Sequence, residues 1–288
     1  MSRSAAIEER ITKNYVAMSA KLRTAADFVA GNPVDIATRS LRSVAASSGV
    51  SPATFSRLAR VLGFDDYEEM REAGRAAVGQ RLVPFSERAE ALHRGDQSAN
   101  HFIHRQAAAC IQNIDYLEQN ISPERLQEAV DILFKARKVL LIGALGSVGF
   151  VEYFAYQAQF LARDWTVAGQ AGTSIAASYA QMGKDDAVIV LTKAPYSGHS
   201  MSALRLAFEN GFKTLVLTDS HSSPALEYTN NYFVIPTETA NFFSSYAATL
   251  VLIETMMSML IAKVGPEAEA RIKATEDQTR RLAEHRSV

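Results

Sequence analysis

Apolar residues recur at helical spacing through the first 80 positions and change to short continuous runs after position 138, so the chain reads as two regions of different build. Ile7, Ile11, Tyr15 and Met18 predict a first helix over about residues 4–18. Ser19 is placed to cap a second helix carrying Leu22, Ala26 and Val29 on one face, and Gly31-Asn32-Pro33 stops it. Two shorter helices and their turn fall within 40–63, and Asp65-Asp66-Tyr67 opens another. Residues 79–98, interrupted by Pro84 and Gly95, read as a connector. A helix over Ala99–Asn120 follows, and Ser122-Pro123-Glu124 starts the next, since proline suits a first helical turn.

Beyond Lys138 the runs Val139–Ile142, Ala187–Leu191, Thr214–Thr218 and Tyr232–Ile235 are short, apolar and rich in Val, Ile or Leu. Helical segments such as Val148–Ala162 and Met201–Asn210 separate them. Continuous apolar strands alternating with helices predict a parallel sheet flanked by helices, a three-layer Rossmann-like α/β domain. The fold expected is therefore an all-α helix-turn-helix domain followed by an α/β domain. The division expected is 1–80 for the first domain, 81–120 for a linker and connecting helix, and 121–288 for the second domain.

The segment 40–64 is the most specific part of the pattern. Leu41, Val44 and Ala45 form one apolar face, and Gly49 stands where the first helix must end and reverse. Ser51 caps the next helix, with Pro52 at its first position. Phe55, Leu58, Ala59 and Leu62 bury one side of that helix, and Gly63 ends it. The residues left outward are Ala53, Thr54, Ser56, Arg57 and Arg60. Small polar side chains at a helix N-terminus followed by arginine suit a major groove. Thr54, Ser56 and Arg57 are expected to face bases, and Ser51 and Arg60 to hold phosphates; the same pattern also fits a helical hairpin with a solvated face.

Charge supports the DNA reading only through its distribution. The net charge of −1 excludes a uniformly basic coat, yet residues 1–85 carry +3 and the remainder −4. From Ile36 to Phe64 there are four arginines and no acid, and phosphate neutralisation is a local matter. The single cysteine, Cys110, excludes an intramolecular disulfide or a cysteine metal cluster. No histidine spacing suggests a metal, and no cofactor is expected. The longest apolar stretch, Ala247–Val264, is interrupted by Thr249, Glu254, Thr255, Ser258 and Lys263 and reads as a buried helix rather than a membrane span. A polar start, Met1–Arg10, carries no signal peptide, so a cytoplasmic location is expected.

The pattern Asn32-Pro33, Ser40-Leu41-x-x-Val44-Ala45, then Gly49-Val50-Ser51-x-Ala53-Thr54-Phe55-x-Arg57-Leu58-x-Arg60-x-Leu62-Gly63-Phe64-x-x-Tyr67 resembles the helix-turn-helix domain of the RpiR/MurR family. That family joins it to a SIS (sugar isomerase) domain, and the resemblance extends more loosely over the second region. It implies a sugar-phosphate or related anion as effector, double-stranded DNA as partner, and a homodimer or homotetramer.

The resemblance also points to a ligand edge. Gly143-Ala144-Leu145-Gly146-Ser147 follows the first strand and opens a helix whose free N–H groups favour an anion. SIS domains read Gly-x-Gly-x-Ser here, and Leu145 replaces the second glycine. Ser197-Gly198-x-Ser200 matches the second half of the family's Ser-x-Ser-Gly-x-Thr, and Lys193-Ala194-Pro195-Tyr196 displaces the first half. Gly143, Ser147, Ser197, Gly198 and Ser200 are the first candidates, with Ser200 expected as an N-cap and Lys193 and His199 as solvated loop residues. Thr218 and Ser220 on the third loop, and Glu238 after the fourth strand, are second. The altered loop keeps a carboxylate open as the anion. No catalytic residue is assigned, although Glu152, Glu238 and His199 are the candidate bases for an alternative, a sugar-phosphate isomerase carrying a DNA-binding domain.

Overall fold

The computed structural model describes residues 5–32, 35–36, 39–82, 85–94, 98–161, 164–169, 172 and 174–282. Pro33, Pro84 and Gly95, invoked above as punctuation, lie outside them. Two compact units emerge, residues 1–103 with 240–242, and residues 104–239 with 243–288.

The first unit is helical: α1 Ala5–Asn14, α2 Ala20–Gly31, α3 Leu41–Ser48, α4 Pro52–Val61, α5 Tyr67–Leu82 and α6 Phe85–Arg94. The predicted first helix is shorter than expected, because Tyr15–Ala17 tightens into a 3₁₀ turn and Met18 leaves it extended. The Tyr15 hydroxyl donates to Asp27 at 2.8 Å, which ties that turn to α2. The expected connector at 79–98 is largely helical, since Ser86–Leu92 is a run of mostly good helix formers. The core is centred on Phe55, fully buried, which meets the Phe28 and Tyr67 rings edge-on at 6.1 and 6.3 Å. Val44, Leu58, Ala59 and Met70 close around it.

The second unit follows from α7 Ala99–Asn120, whose first residues precede the unit boundary, and α8 Pro123–Lys135, capped by Ser122. Then come β1 Lys138–Gly143, α9 Val148–Ala158, β2 Asp164–Val167, α10 Ile175–Tyr179, β3 Ala187–Leu191, α11 Gly198–Glu209, β4 Lys213–Thr218, β5 Asn231–Val234, α12 Ala247–Val264 and α13 Pro266–Arg281. All pairings are parallel, in the order β2-β1-β3-β4-β5. Alternate strand residues feed two cores. Val139, Leu141, Ile189 and Leu217 join α8, α9 and α12 on one face. Leu140, Ile142, Val188 and Val190 join Leu204 and Ala207 of α11 on the other. Five strands stand where four were expected. The extra one, Asp-Trp-Thr-Val, is an edge strand of alternating exposure and so lacks the continuous apolar signature of the central strands.

Helix α12 is the described element long and apolar enough to cross a bilayer. Its inner residues Leu252, Ile253, Met256, Met257 and Leu260 are buried in the sheet's core, while Glu254, Thr255, Ser258 and Lys263 are exposed. It is an amphipathic core helix, buried along one face and exposed at most of the polar positions that interrupt the run.

Candidate DNA-reading helix and ligand edge

In the first unit, local chemistry sets both ends of each helix. The Ser40 hydroxyl accepts from Ser43 N–H at 3.3 Å at the start of α3, and Gly49 ends it in the left-handed region at φ 68°. The Ser51 hydroxyl accepts from Thr54 N–H at 3.3 Å at the start of α4, with Pro52 at the first position. Gly63, at φ 77°, turns the chain away beyond α4. Phe55, Leu58, Ala59 and Leu62 are buried, while Ser51, Ala53, Arg57 and Arg60 are exposed and Thr54 and Ser56 half-buried. The sequence-predicted set therefore shares one outward face. The Ser51 and Thr54 hydroxyls lie 2.9 Å apart, so they present as a pair rather than as independent groups.

One residue outside that set fixes the helix. Arg10 of α1 donates through one nitrogen to the carbonyls of Leu62 and Gly63, at 2.9 and 3.1 Å, and stacks 4.4 Å from the Phe64 ring centroid. A cation there satisfies carbonyls just beyond the helix end, where the dipole is negative. Nothing local to α4 announces it, since the two partners are about fifty residues apart in the chain. Arg39 pairs with Asp35 at 3.1 Å and Arg42 is exposed.

In the second unit, the strand order places the loops after β1 and β3 side by side, where an open α/β sheet binds its ligand. Gly143 has no room for a side chain: a Cβ would lie 2.9 Å from both the Ser147 carbonyl oxygen and Val151 Cγ2. This close approach brings the start of α9 down onto β1. Leu145 takes φ 54°, the left-handed value that suits the glycine it replaces, and its side chain is 73% exposed. Ser147 is buried, and its hydroxyl pairs with the Tyr246 hydroxyl at 3.0 Å.

The loop after β3 differs from expectation in two ways. Helix α11 begins at Gly198, and its cap is Ser197, whose hydroxyl accepts from Ser200 N–H at 3.5 Å. Ser200 lies inside the first turn, fully buried, and its hydroxyl has no hydrogen-bond partner among the described residues. Lys193, expected in solvent, is only 8% exposed. The chain leaves a fully buried strand directly into that position, so the lysine begins inside the core edge. Its ammonium donates to the Ser245 carbonyl at 3.1 Å and sits 3.4 Å from the Tyr246 ring centroid. Burial pulls its pKa down to about 7, against a smaller upward pull from Asp219. His199 is exposed, as expected.

Tyr246 closes this cluster. Its other contact is Phe150, stacked at 3.9 Å and 7°. Burial raises the phenol's pKa, opposed by its bond to Ser147. Asp219 accepts from the Tyr196 hydroxyl at 3.0 Å and from Ala194 N–H at 3.1 Å, across a cis Ala194–Pro195 bond. Thr218 and Ser220 are fully buried. The Ser220 hydroxyl accepts from Ser222 N–H at 3.1 Å, building the loop. Glu238 is half-buried and engages Asn113 of α7 through its backbone carbonyl, at 2.8 Å. Glu152 is exposed on α9. Lys193, Asp219 and Tyr246 were not assigned from sequence. Only the charge placed two residues after a continuous apolar strand hinted at the first, and Tyr246 arrives from about a hundred residues downstream of Ser147 with no local signal.

A cleft of about 920 Å³ lies away from these loops, at the amino-terminal edge of the sheet, where Glu128, Asp131, Asp185 and Lys213 line it. The strand-end loops carry the polar convergence that a ligand needs, so they are the candidate site. Among the described residues, no group of His, Cys, Asp and Glu suited to a metal ion occurs.

The SIS domain family matches residues 132–259, from the last turn of α8 to near the end of α12. The "Bifunctional protein glk" of Burkholderia mallei is 27% identical over 220 residues, covering 76% of this chain and 33% of the relative. The chain thus spans about a third of the length of the first curated relatives it matches. An "Uncharacterized HTH-type transcriptional regulator" of Haemophilus influenzae is 24% identical, covering 81% of each. The Vibrio vulnificus NanR protein complexed with ManNAc-6P has a similar fold, with TM-score 0.58 and 19% identity over 96% of this chain and 99% of that one. The match to the SIS domain family at 132–259 thus lies in the second unit, behind a helical first unit that carries the paired short helices α3 and α4.

Proposed function

We propose that the chain is a sequence-specific, DNA-binding transcription regulator controlled by a small anionic metabolite, of sugar-phosphate type, held at the strand-end loops of its SIS domain. The observation that carries this is α4, capped at its start and buried along one side, with Arg57 and Arg60 exposed on the other. Residues 1–80 would bind DNA, 81–120 would link and connect, and 121–288 would bind the effector. Ala53, Thr54, Ser56 and Arg57 would reach base edges, and Ser51 and Arg60 the phosphates. Gly143, Ser147, Ser197, Gly198 and Ser200 would surround the anion, with Thr218, Ser220 and Glu238 behind or beside them. The similar NanR fold is complexed with ManNAc-6P, a sugar phosphate, which supports that class of effector. A homodimer or homotetramer would set two copies of α4 on a two-fold operator, in the cytoplasm.

The decisive experiment is binding of the full chain to DNA from its own promoter region. Arg57→Ala should weaken specific binding by about 1–3 kcal/mol if the contact to guanine is bidentate. Specific binding unchanged in that variant would remove the base-reading role. The SIS fold is also found in isomerases, and the exposed Glu152 and half-buried Glu238 are two of the candidate bases named above. Conversion of a phosphosugar that stops in Glu238→Gln would favour the enzyme over the sensor.

A further inference from the structure

Ser245 stands between two networks that the sensing role has not yet used. Its carbonyl accepts from the Lys193 ammonium at 3.1 Å, at the ligand edge. Its hydroxyl lies 3.4 Å from the Cys110 sulfur on α7. Next to it, Tyr246 holds the Ser147 hydroxyl at 3.0 Å. The same stretch of chain is fastened to α7 twice more. Thr239 donates to the Gln106 side-chain oxygen at 2.8 Å, and Asn113 of α7 donates to the Glu238 carbonyl at 2.8 Å. Gln106 in turn reaches the Cys110 sulfur at 3.5 Å. Residues 238–239 and 245–246, all in the second unit, thus tie the two polar groups of the candidate site and successive turns of α7 to one stretch of chain.

A buried ammonium hydrogen-bonded to one neutral carbonyl and set on a ring face, with the Asp219 charge near it but no direct bond to it among the described residues, gains from a bond to an anion, because charge-assisted hydrogen bonds are stronger than neutral ones. We propose that an effector's phosphate or carboxylate takes the Lys193 ammonium from the Ser245 carbonyl, and that the freed Ser245 loosens its contact with Cys110, passing the occupancy of the site to α7. This rests on the sensing role given above to the strand-end loops. It adds Lys193 as the anion's partner and Ser245 as the residue that reports it. Helix α7 is the element by which the second unit leads back along the chain to the first.

Cys110 is the chain's sole cysteine, so its labelling by a thiol-selective reagent reads this contact directly in the full-length protein. Inorganic phosphate is the first probe and acetate the second, with the rise in Tm reporting binding. In the wild-type protein, the bound anion should speed labelling several-fold. Ser245→Ala should label at the raised rate without anion, gain nothing further from it, and still show the rise in Tm. Lys193→Met should lose both responses, and Lys193→Gln replaces it if the first variant does not fold.

The proposal is overturned if bound anion leaves wild-type labelling unchanged. Ser245→Ala labelling at the wild-type rate overturns it too, as does a wild-type protein that neither anion raises in Tm above the Lys193 variant. A DNA-binding assay run in parallel keeps the two readings apart. Labelling that responds while operator affinity is indifferent to the anion supports the relay and removes metabolite control. Operator affinity that responds without any change at Cys110 removes the relay alone.

Discussion

The candidate DNA-reading helix and the candidate ligand edge treat their polar groups in opposite ways. On α4, Arg57 and Arg60 point outward and neither joins an ion pair among the described residues. At the strand ends, Ser147 pairs with Tyr246, Lys193 with Ser245, and Asp219 with Tyr196. A surface kept open can meet a large, rigid partner without rearrangement. A cluster that satisfies itself must exchange its internal bonds for those of a ligand, and that exchange is what allows binding to change the protein. On the proposed function, the difference separates a reading surface from a sensing one.

The comparison breaks first at the core beneath α4. Phe55→Ala should cost about 3–5 kcal/mol of unfolding free energy, from a fully buried ring in contact with Phe28 and Tyr67. Denaturant unfolding should show that loss, with DNA binding falling in parallel; a variant as stable as wild type would mean that the ring does not organise the helix.

The next effect belongs to Lys193 and depends on pH. Its folded pKa of about 7 lies below the ordinary 10.5. Below about 7 both folded and unfolded chains hold the proton, and the cost of burying the charge is fully present. Between about 7 and 10.5 the folded chain holds fewer protons, so this group makes stability rise with pH, by at most a few kcal/mol. Asp219 and the Tyr246 ring face this ammonium, and both favour its charged form. Lys193→Met should flatten the rise, as urea unfolding at about pH 6 and pH 9 would reveal. An equal slope in both proteins would show that the amine is solvated.

Gly143→Ala should cost about 1–3 kcal/mol, since its methyl would press on the Ser147 carbonyl and Val151 at 2.9 Å. Any loss of effector binding should accompany that loss of stability, which calorimetry can follow. The smallest effect is at the cap: Ser51→Ala should cost about 1 kcal/mol by removing the hydroxyl that accepts from the Thr54 N–H and pairs with the Thr54 hydroxyl, measurable by thermal unfolding.

The contrast also explains what could be read in the sequence. The two helices around Gly49 were legible because their signals are local: a capping serine, a proline, a glycine at positive φ and an apolar stripe, all within 25 residues. The central strands were legible because sheets covered on both faces leave continuous apolar runs. The edge strand Asp164–Val167 escaped because its residues are only partly covered. At the ligand edge, Ser147 and Ser197 were named, but their neighbours were not. Tyr246 and Ser245 come from the start of α12, and their role depends on a tertiary meeting that periodicity does not encode. Ser200 was misplaced as a cap by one helical turn, because the start of α11 is set by Ser197.

Position 145 carries a consequence for how such a chain tolerates change. A left-handed backbone disfavours a leucine by about 1–2 kcal/mol and leaves glycine untroubled. Random drift towards glycine would therefore harden the protein, and a library selected only for heat resistance should accumulate that replacement. A library selected for response to its effector should resist it, if the apolar side chain held at the mouth of the loop is there to touch something.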